Sequence, residues 1–166
     1  MITLTDASQL DLRAFLRPGD HIVWGQACAE PTTLVEKLIA QAADIGGLSA
    51  FAATSFSGLL DVAAAEKIAI SSMGAIGVLR TLTAAHRLNI IPCHVSQVGP
   101  MIEQGLIGCD VAFVQVSPAD AAGNHSFGLT NDFIHAAVAK ARVVIAEVNE
   151  QVPYTYGDAV LPAERI

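Results

Sequence analysis

The sequence predicts an α/β domain built on an open, mainly parallel sheet flanked by helices. Three observations carry that prediction. Short β-rich runs alternate with helical runs along most of the chain, the order of βαβ units. The composition is aliphatic and poor in charge, with 52% hydrophobic, 5% aromatic and 15% charged residues. The run DVAFVQV (110–116) is apolar on both faces, as a strand covered by helices on both sides must be.

The elements follow in order. HIVWG (21–25) reads as a strand. PTTLVEKLIAQAAD (31–44) reads as a helix, with Pro31 pre-set for a first helical position and apolar residues at 34, 35, 38, 39 and 42. Gly46 and Gly47 form a helix stop ahead of a second strand, GLSAFAAT (47–54). KIAISS (67–72) is a third strand and AIGVLRTLTAAHRL (75–88) a helix. NIIPCHVS (89–96) reads as a strand that Pro92 keeps short or at an edge. A short helix over 98–107 leads to the strand 110–116. A helix at 131–141 and a strand at 142–148 complete the alternation. The segment 55–66 carries no clear period. Residues 149–166, with two prolines and a glycine, read as an exit segment over the surface.

Length and composition narrow the function. At 166 residues the chain is one domain able to bury a core of its own. A formal charge of −7 with no block of Lys or Arg argues against nucleic acid, whose affinity comes largely from phosphate neutralisation. It leaves open a phosphorylated ligand held by backbone N–H groups. The first residues lack the apolar stretch of a secretory signal, and no run is long enough to span a bilayer. Cys28, Cys93 and Cys109, odd in number and irregular in spacing, read as reduced thiols, so a cytoplasmic setting is expected.

Ligands of open α/β sheets collect beyond the carboxyl ends of the strands. Four loops qualify. GQACAEP (25–31) places Gln26 and Ala27 between a strand and a helix N-terminus. It suits an anion or an oxyanion, or is a plain βα turn. SSMGAIG (71–77) offers Ser71 and Ser72 to a phosphate or thioester carbonyl, or uses them as helix caps. In CHVSQVGP (93–100) the adjacent Cys93 and His94 point to opposite faces of a strand, so they do not pair as nucleophile and base. His94 and Ser96 share a face and form a polar pair towards a cleft. No CxxC or HxxxH partner is present, so no metal is expected. VSPADAAGNHSFG (116–128) is the richest. Ser117-Pro118 sets an extended exit, Asp120 turns the chain, and Gly123 and Gly128 permit φ > 0. Asn124, His125 and Ser126 then lie on a short β-like return. A structural turn platform accounts for the Pro, Asp and Gly, and a cleft edge for the whole set. No dinucleotide or P-loop glycine pattern occurs.

Three stretches, GDHIVWGQACAEPTTLVEKL, IPCHVSQVGPMIEQGLIGCDVAFVQVSPADAAGNHSFG and VVIAEVNEQVPYTYGD, occur in the order found in one family. The chain resembles the N-terminal domain of the acetyl-CoA hydrolase/transferase family, which includes acetate, succinate and 4-hydroxybutyrate CoA-transferases. DVAFVQVSPADAAGNHSFG is the most specific piece; Asn124 stands where the family usually has an aromatic residue. The resemblance implies residues 1–166 as one of two similar halves, with 149–166 leading towards a C-terminal half. It implies coenzyme A as substrate rather than a bound cofactor, with an acyl-CoA and a small carboxylate as reactants. It also implies a glutamyl-CoA thioester on a glutamate of the other half, supplied in the same chain or by a second subunit, and a homo-oligomer. Glu30, Glu103, Glu147 and Glu150 do not match that nucleophile's motif, so no catalytic residue is expected on this chain. The alternatives are a non-catalytic CoA-binding or protein-interaction domain and, third, a thiol hydrolase using Cys28 or Cys93.

Overall fold

The computed structural model describes residues 3–4, 6–157 and 159–166. Six strands form a wholly parallel sheet: β1 His21–Trp24, β2 Ser49–Phe51, β3 Ala69–Ser72, β4 Leu88–Ile90, β5 Val111–Val116 and, after a short β6 Asn124–Ser126, β7 Val143–Val148. Their spatial order is β4-β3-β2-β1-β5-β7. β6 pairs separately, antiparallel to β8 Val160–Pro162, with His125 opposite Leu161.

Alternation along the strands divides the core in two. Ile22, Trp24, Ala50, Ile70 and Phe113 face one way and join the buried residues of α1 Thr32–Ile45, with Leu79 and Leu82 of α3 Leu79–Ala84. α2 Val62–Lys67 packs between these two helices. Val23, Phe51, Ala112 and Val114 face the other way, onto α4 Val95–Glu103 and α5 Ile134–Lys140. Both faces are dry because both are covered, which is why the strands need apolar residues at consecutive positions. β5 is paired on both sides and lies one strand in from an edge.

α1 buries Leu34, Val35, Leu38, Ala42 and Ile45 along one stripe. It ends where Gly46 and Gly47 take φ of 83° and 68°, a conformation costly for any residue with a Cβ. Pro31 is the residue before the helix rather than its first. The free N–H groups of Thr33 and Leu34 donate to Glu147 Oε2 on β7, at 3.0 and 3.4 Å. A carboxylate at that end also meets the positive pole of the helix.

Four expectations are corrected. The unreadable segment 55–66 leads into α2, capped by Asp61, whose Oδ1 accepts the Ala64 N–H at 2.8 Å. α3 is shorter than 75–88 because Gly77, at φ 63°, is held in a parallel bridge with Ser55. β4 is short and at the edge, as Pro92 implied, but the chain leaves the sheet after Ile90 rather than continuing to 96, and Val95 already begins α4. His94 and Ser96 therefore do not share a strand face. His94 caps α4, its N–H donating to Gln97 Oε1 at 3.0 Å, and Ser96 lies in the first turn. Finally, 149–166 does more than run over the surface. Leu161 is buried, and the Arg165 guanidinium donates to the carbonyls of Val138 and Ala141 at the end of α5.

Candidate functional site

The topology itself makes a crevice. From β1 the chain steps outward through β2, β3 and β4, then returns through α4 to lay β5 on the other side of β1. Connections leaving β1 and β5 thus run to opposite faces of the sheet. Where strand order reverses in this way, the loops diverge and a ligand fits between them.

The loop after β1 turns tightly. A Cβ on Gly25 would lie 2.6 Å from the Ala29 carbonyl oxygen, so only glycine fits there. Ala27 adopts φ 53°, left-handed and uncommon for a residue with a side chain. Bonds to neighbouring loops hold it. The Ala27 N–H donates to Thr54 O at 2.8 Å, and the Thr54 N–H to Gln26 Oε1 at 3.3 Å. Gln26 Nε2 donates to Asp132 Oδ2, in the segment leading to α5, at 2.5 Å. The Cys28 thiol and the Thr130 hydroxyl are 3.0 Å apart. Gln26, Ala27 and Cys28 thus join the loops that follow β1, β2 and β5.

Beside these straps lies a cleft of about 190 Å³. Its hydrogen-bonding walls are Cys28, Gln115, Thr130, Asn149 and Gln151, and its apolar walls include Phe127, Leu129 and Val152. Gln115 Nε2 donates to the Glu30 carbonyl at 3.1 Å, while its Oε1 accepts from Asn149 Nδ2 at 3.4 Å. Gln115, Thr130 and Asn149 were not among the sequence candidates. The signal for Gln115 was present: it is the one polar residue inside the run 111–116.

The loop 116–128 leaves the carboxyl end of β5 as the sequence implied, but its side chains mostly bind the loop to itself. Ser117 and Ser126 are fully buried. Ser117 Oγ accepts the Ser126 N–H at 3.0 Å and donates to Pro118 O at 2.9 Å. Ser126 Oγ accepts the N–H groups of Gly128 at 3.0 Å and Thr155 at 3.1 Å. His125 is buried with Nδ1 2.8 Å from Ser117 O. Asp120 accepts from the N–H groups of Asn124 and Ala122 and from the Tyr154 hydroxyl, each at 2.8 or 2.9 Å. The Asn124 N–H above all, with the Tyr154 hydroxyl next, holds the Asp120 carboxyl below its ordinary range. The same contact raises the Tyr154 phenol. Gly123 takes φ 81° at the tip. Asn124 opens β6 and is half-buried.

Ser71 and Ser72 also serve the backbone: Ser71 Oγ donates to Ala50 O and Ser72 Oγ to Gly74 O, at 3.1 and 3.0 Å. With His94 they sit above β3 and β4, towards the opposite edge of the sheet from the cleft. Ser96 lines a separate groove of about 320 Å³ between α4 and α5, together with Asp132, Phe133 and His135.

Two of the acids are occupied. Glu30 is buried, with Ser55 Oγ 2.9 and 3.0 Å from its two oxygens. Glu147 caps α1. Among the described residues, no carboxylate lines the cleft. Burial pushes the Cys109 thiol up to about 12, which leaves it protonated and unreactive. Among the described residues no three His, Cys, Asp or Glu side chains come together as metal ligands, and no helix is long and apolar enough to cross a membrane.

A parallel sheet whose strand order reverses at β1, with helices on both faces, defines a doubly wound α/β domain. This chain belongs to the acetyl-CoA hydrolase/transferase N-terminal domain family, whose model matches residues 7–166. A stretch of 85 residues is 36% identical to the 4-hydroxybutyrate coenzyme A transferase of Clostridium kluyveri, covering 51% of this chain and 20% of that protein. The structure of RipA from Yersinia pestis superposes with a TM-score of 0.85 at 27% identity, over 92% of this chain and 38% of that one. A 4-hydroxybutyrate CoA-transferase from Porphyromonas gingivalis gives 0.64 at 25% identity, over 91% and 34%. The chain therefore spans well under half the length of these relatives.

Proposed function

We propose that this domain is the N-terminal half of a CoA-transferase that moves CoA between an acyl-CoA and a small carboxylate. The nucleophile is a glutamate on a C-terminal half or second subunit, which carries the CoA thioester. The observation that carries this reading is the family match over residues 7–166, beside a switch-point cleft that, among the described residues, is lined by neutral hydrogen-bonding groups. On this reading the covalent step on a carboxylate falls to the other half.

The domain's task is to form one wall: the loops after β1 and β5 receive the acyl end of the thioester and keep water from it. Exposed apolar side chains support a covering partner. Phe56 after β2, Ile76 after β3 and Leu129 after β5 are 67%, 42% and 73% exposed, all beyond the carboxyl ends of strands. Side chains of this kind gathered at one edge mark an interaction surface.

The test pairs this chain with the rest of its relatives' length, fused or co-expressed, and follows exchange of labelled acetate into acetyl-CoA. The pair should turn over with saturation, the single domain should not, and borohydride should reduce the thioester on the added half to an alcohol, releasing CoA and stopping turnover. Saturable turnover by the isolated domain would overturn the reading.

A further inference from the structure

A buried acid lies directly behind the loop that follows β1. Glu30 closes that loop and is 3% exposed, in a chain with only 15% charged residues. Among the described residues no Lys, Arg or His forms an ion pair with it. The Ser55 hydroxyl donates to its carboxyl, with Oγ 2.9 and 3.0 Å from the two oxygens. Ser55 is itself buried and firmly seated. It is bridged to Gly77, where a Cβ would collide with the Ser55 carbonyl oxygen, and that oxygen accepts the Val78 N–H at 3.2 Å.

Stability does not call for such a pair. When two buried polar partners are replaced together by apolar groups of similar shape, folding is little changed or gains. What the pair does supply is a fixed point between loops. Two more bonds run beside it, from the Ala27 N–H to Thr54 O and from the Thr54 N–H to Gln26 Oε1. Among these ties Ala27 keeps a φ of 53°, a conformation that persists only where the surroundings enforce it. Glu30 also receives Gln115 Nε2 on its carbonyl, at 3.1 Å. The residues it sets in place therefore line the cleft from two strands: Cys28 and Ala29 after β1, and Gln115 on β5.

We infer that Glu30 is a positioning residue: its carboxyl, pegged to Ser55, holds the loop after β1 in its left-handed turn and so aligns the wall that faces the acyl thioester. Glu30 touches no reacting atom itself. Its consequence for turnover rests on the CoA-transferase reading; its hold on the loop is read in the domain alone. The test replaces both partners, Glu30→Met with Ser55→Ala, beside Glu30→Gln, which keeps an acceptor for the hydroxyl. In the isotope-labelled domain the double variant should keep its urea midpoint or raise it. Its Ala27 chemical shifts should leave left-handed values, and exchange protection of the Ala27 N–H should fall about tenfold, the scale of one lost hydrogen bond. In the pair with the remaining length of its relatives, kcat should fall about a hundredfold with KM for acyl-CoA little changed, the scale of a misplacement of about 1 Å. Glu30→Gln should regain most of that loss. An unchanged Ala27 in the double variant, a fold lost or weakened with it, a loss seen in KM rather than kcat, or no recovery in Glu30→Gln would each overturn the inference. A native pair without turnover would overturn the CoA-transferase reading instead, and Ala27 in the isolated domain would still decide the role of Glu30.

Discussion

Ser126→Ala tests the physical account of the loop after β5. The side chain is fully buried, and its one oxygen uses its full capacity. It accepts from Gly128 and Thr155, and its proton goes to Thr155, whose Oγ1 is 2.8 Å away. Alanine fits the space but strands the buried Gly128 N–H and leaves Thr155 held by its hydroxyl bond to Gly128 O at 2.8 Å. The stranded donor costs about 1–3 kcal/mol and the lost, partly exposed bonds about 1 kcal/mol more, so roughly 2–4 kcal/mol in all. For a domain of this size each kcal/mol lowers Tm by about 3 °C, which places the fall near 6–12 °C. Urea unfolding measures the free energy, and hydrogen exchange locates it: protection should drop at Gly128 and Thr155 while β5 keeps its own. A loss under about 0.5 kcal/mol, or loss of protection spread evenly over the sheet, would refute the idea that Ser126 pins the tail to the loop.

Two further outcomes follow from the charges. Glu147→Ala should destabilise the domain by about 1 kcal/mol in urea unfolding, since it removes the acceptor for the first N–H groups of α1, and Glu147→Gln should recover part of that. The Asp120 carboxyl titrates below its ordinary 3.8, so its contribution is complete above that value. That contribution fades as pH falls from there through the folded value. NMR signals of the Ala122 and Asn124 N–H groups should hold steady above pH 5 and collapse together on acidification; movement near neutral pH would contradict the assignment.

The parts legible in the sequence are those whose cause is local. β5 is visible because Val111, Ala112, Phe113 and Val114 are buried on both faces at consecutive positions. α1 is visible because its stripe ends at two glycines. α2 escaped because its three alanines make no stripe; Asp61 was the available sign. Pro92 announced an edge strand correctly, but the chain turned into α4 sooner than its apolar residues implied, and α4 accommodates Pro100. β8 was invisible because its partner lies 36 residues earlier, beyond any local period. At the site, Gln26 and Ala27 were legible as loop residues after a strand. Thr130 and Asn149 were not, because only the reversal of strand order brings the loop after β1 beside theirs.

The ribbon of β6 and β8 sets a limit on how the polypeptide can be divided. Asn124–Ser126 find their backbone partners in residues 160–162, and the Ala163 N–H donates to Gly123 O at 3.1 Å. An expression boundary drawn at residue 150, where the regular alternation ends, would leave β6 as an open edge and bare the Leu161 pocket. Such a truncation invites self-association through that edge. For fusions, split reporters or swapped halves, the junction belongs beyond Arg165, after the guanidinium that fastens the end of α5.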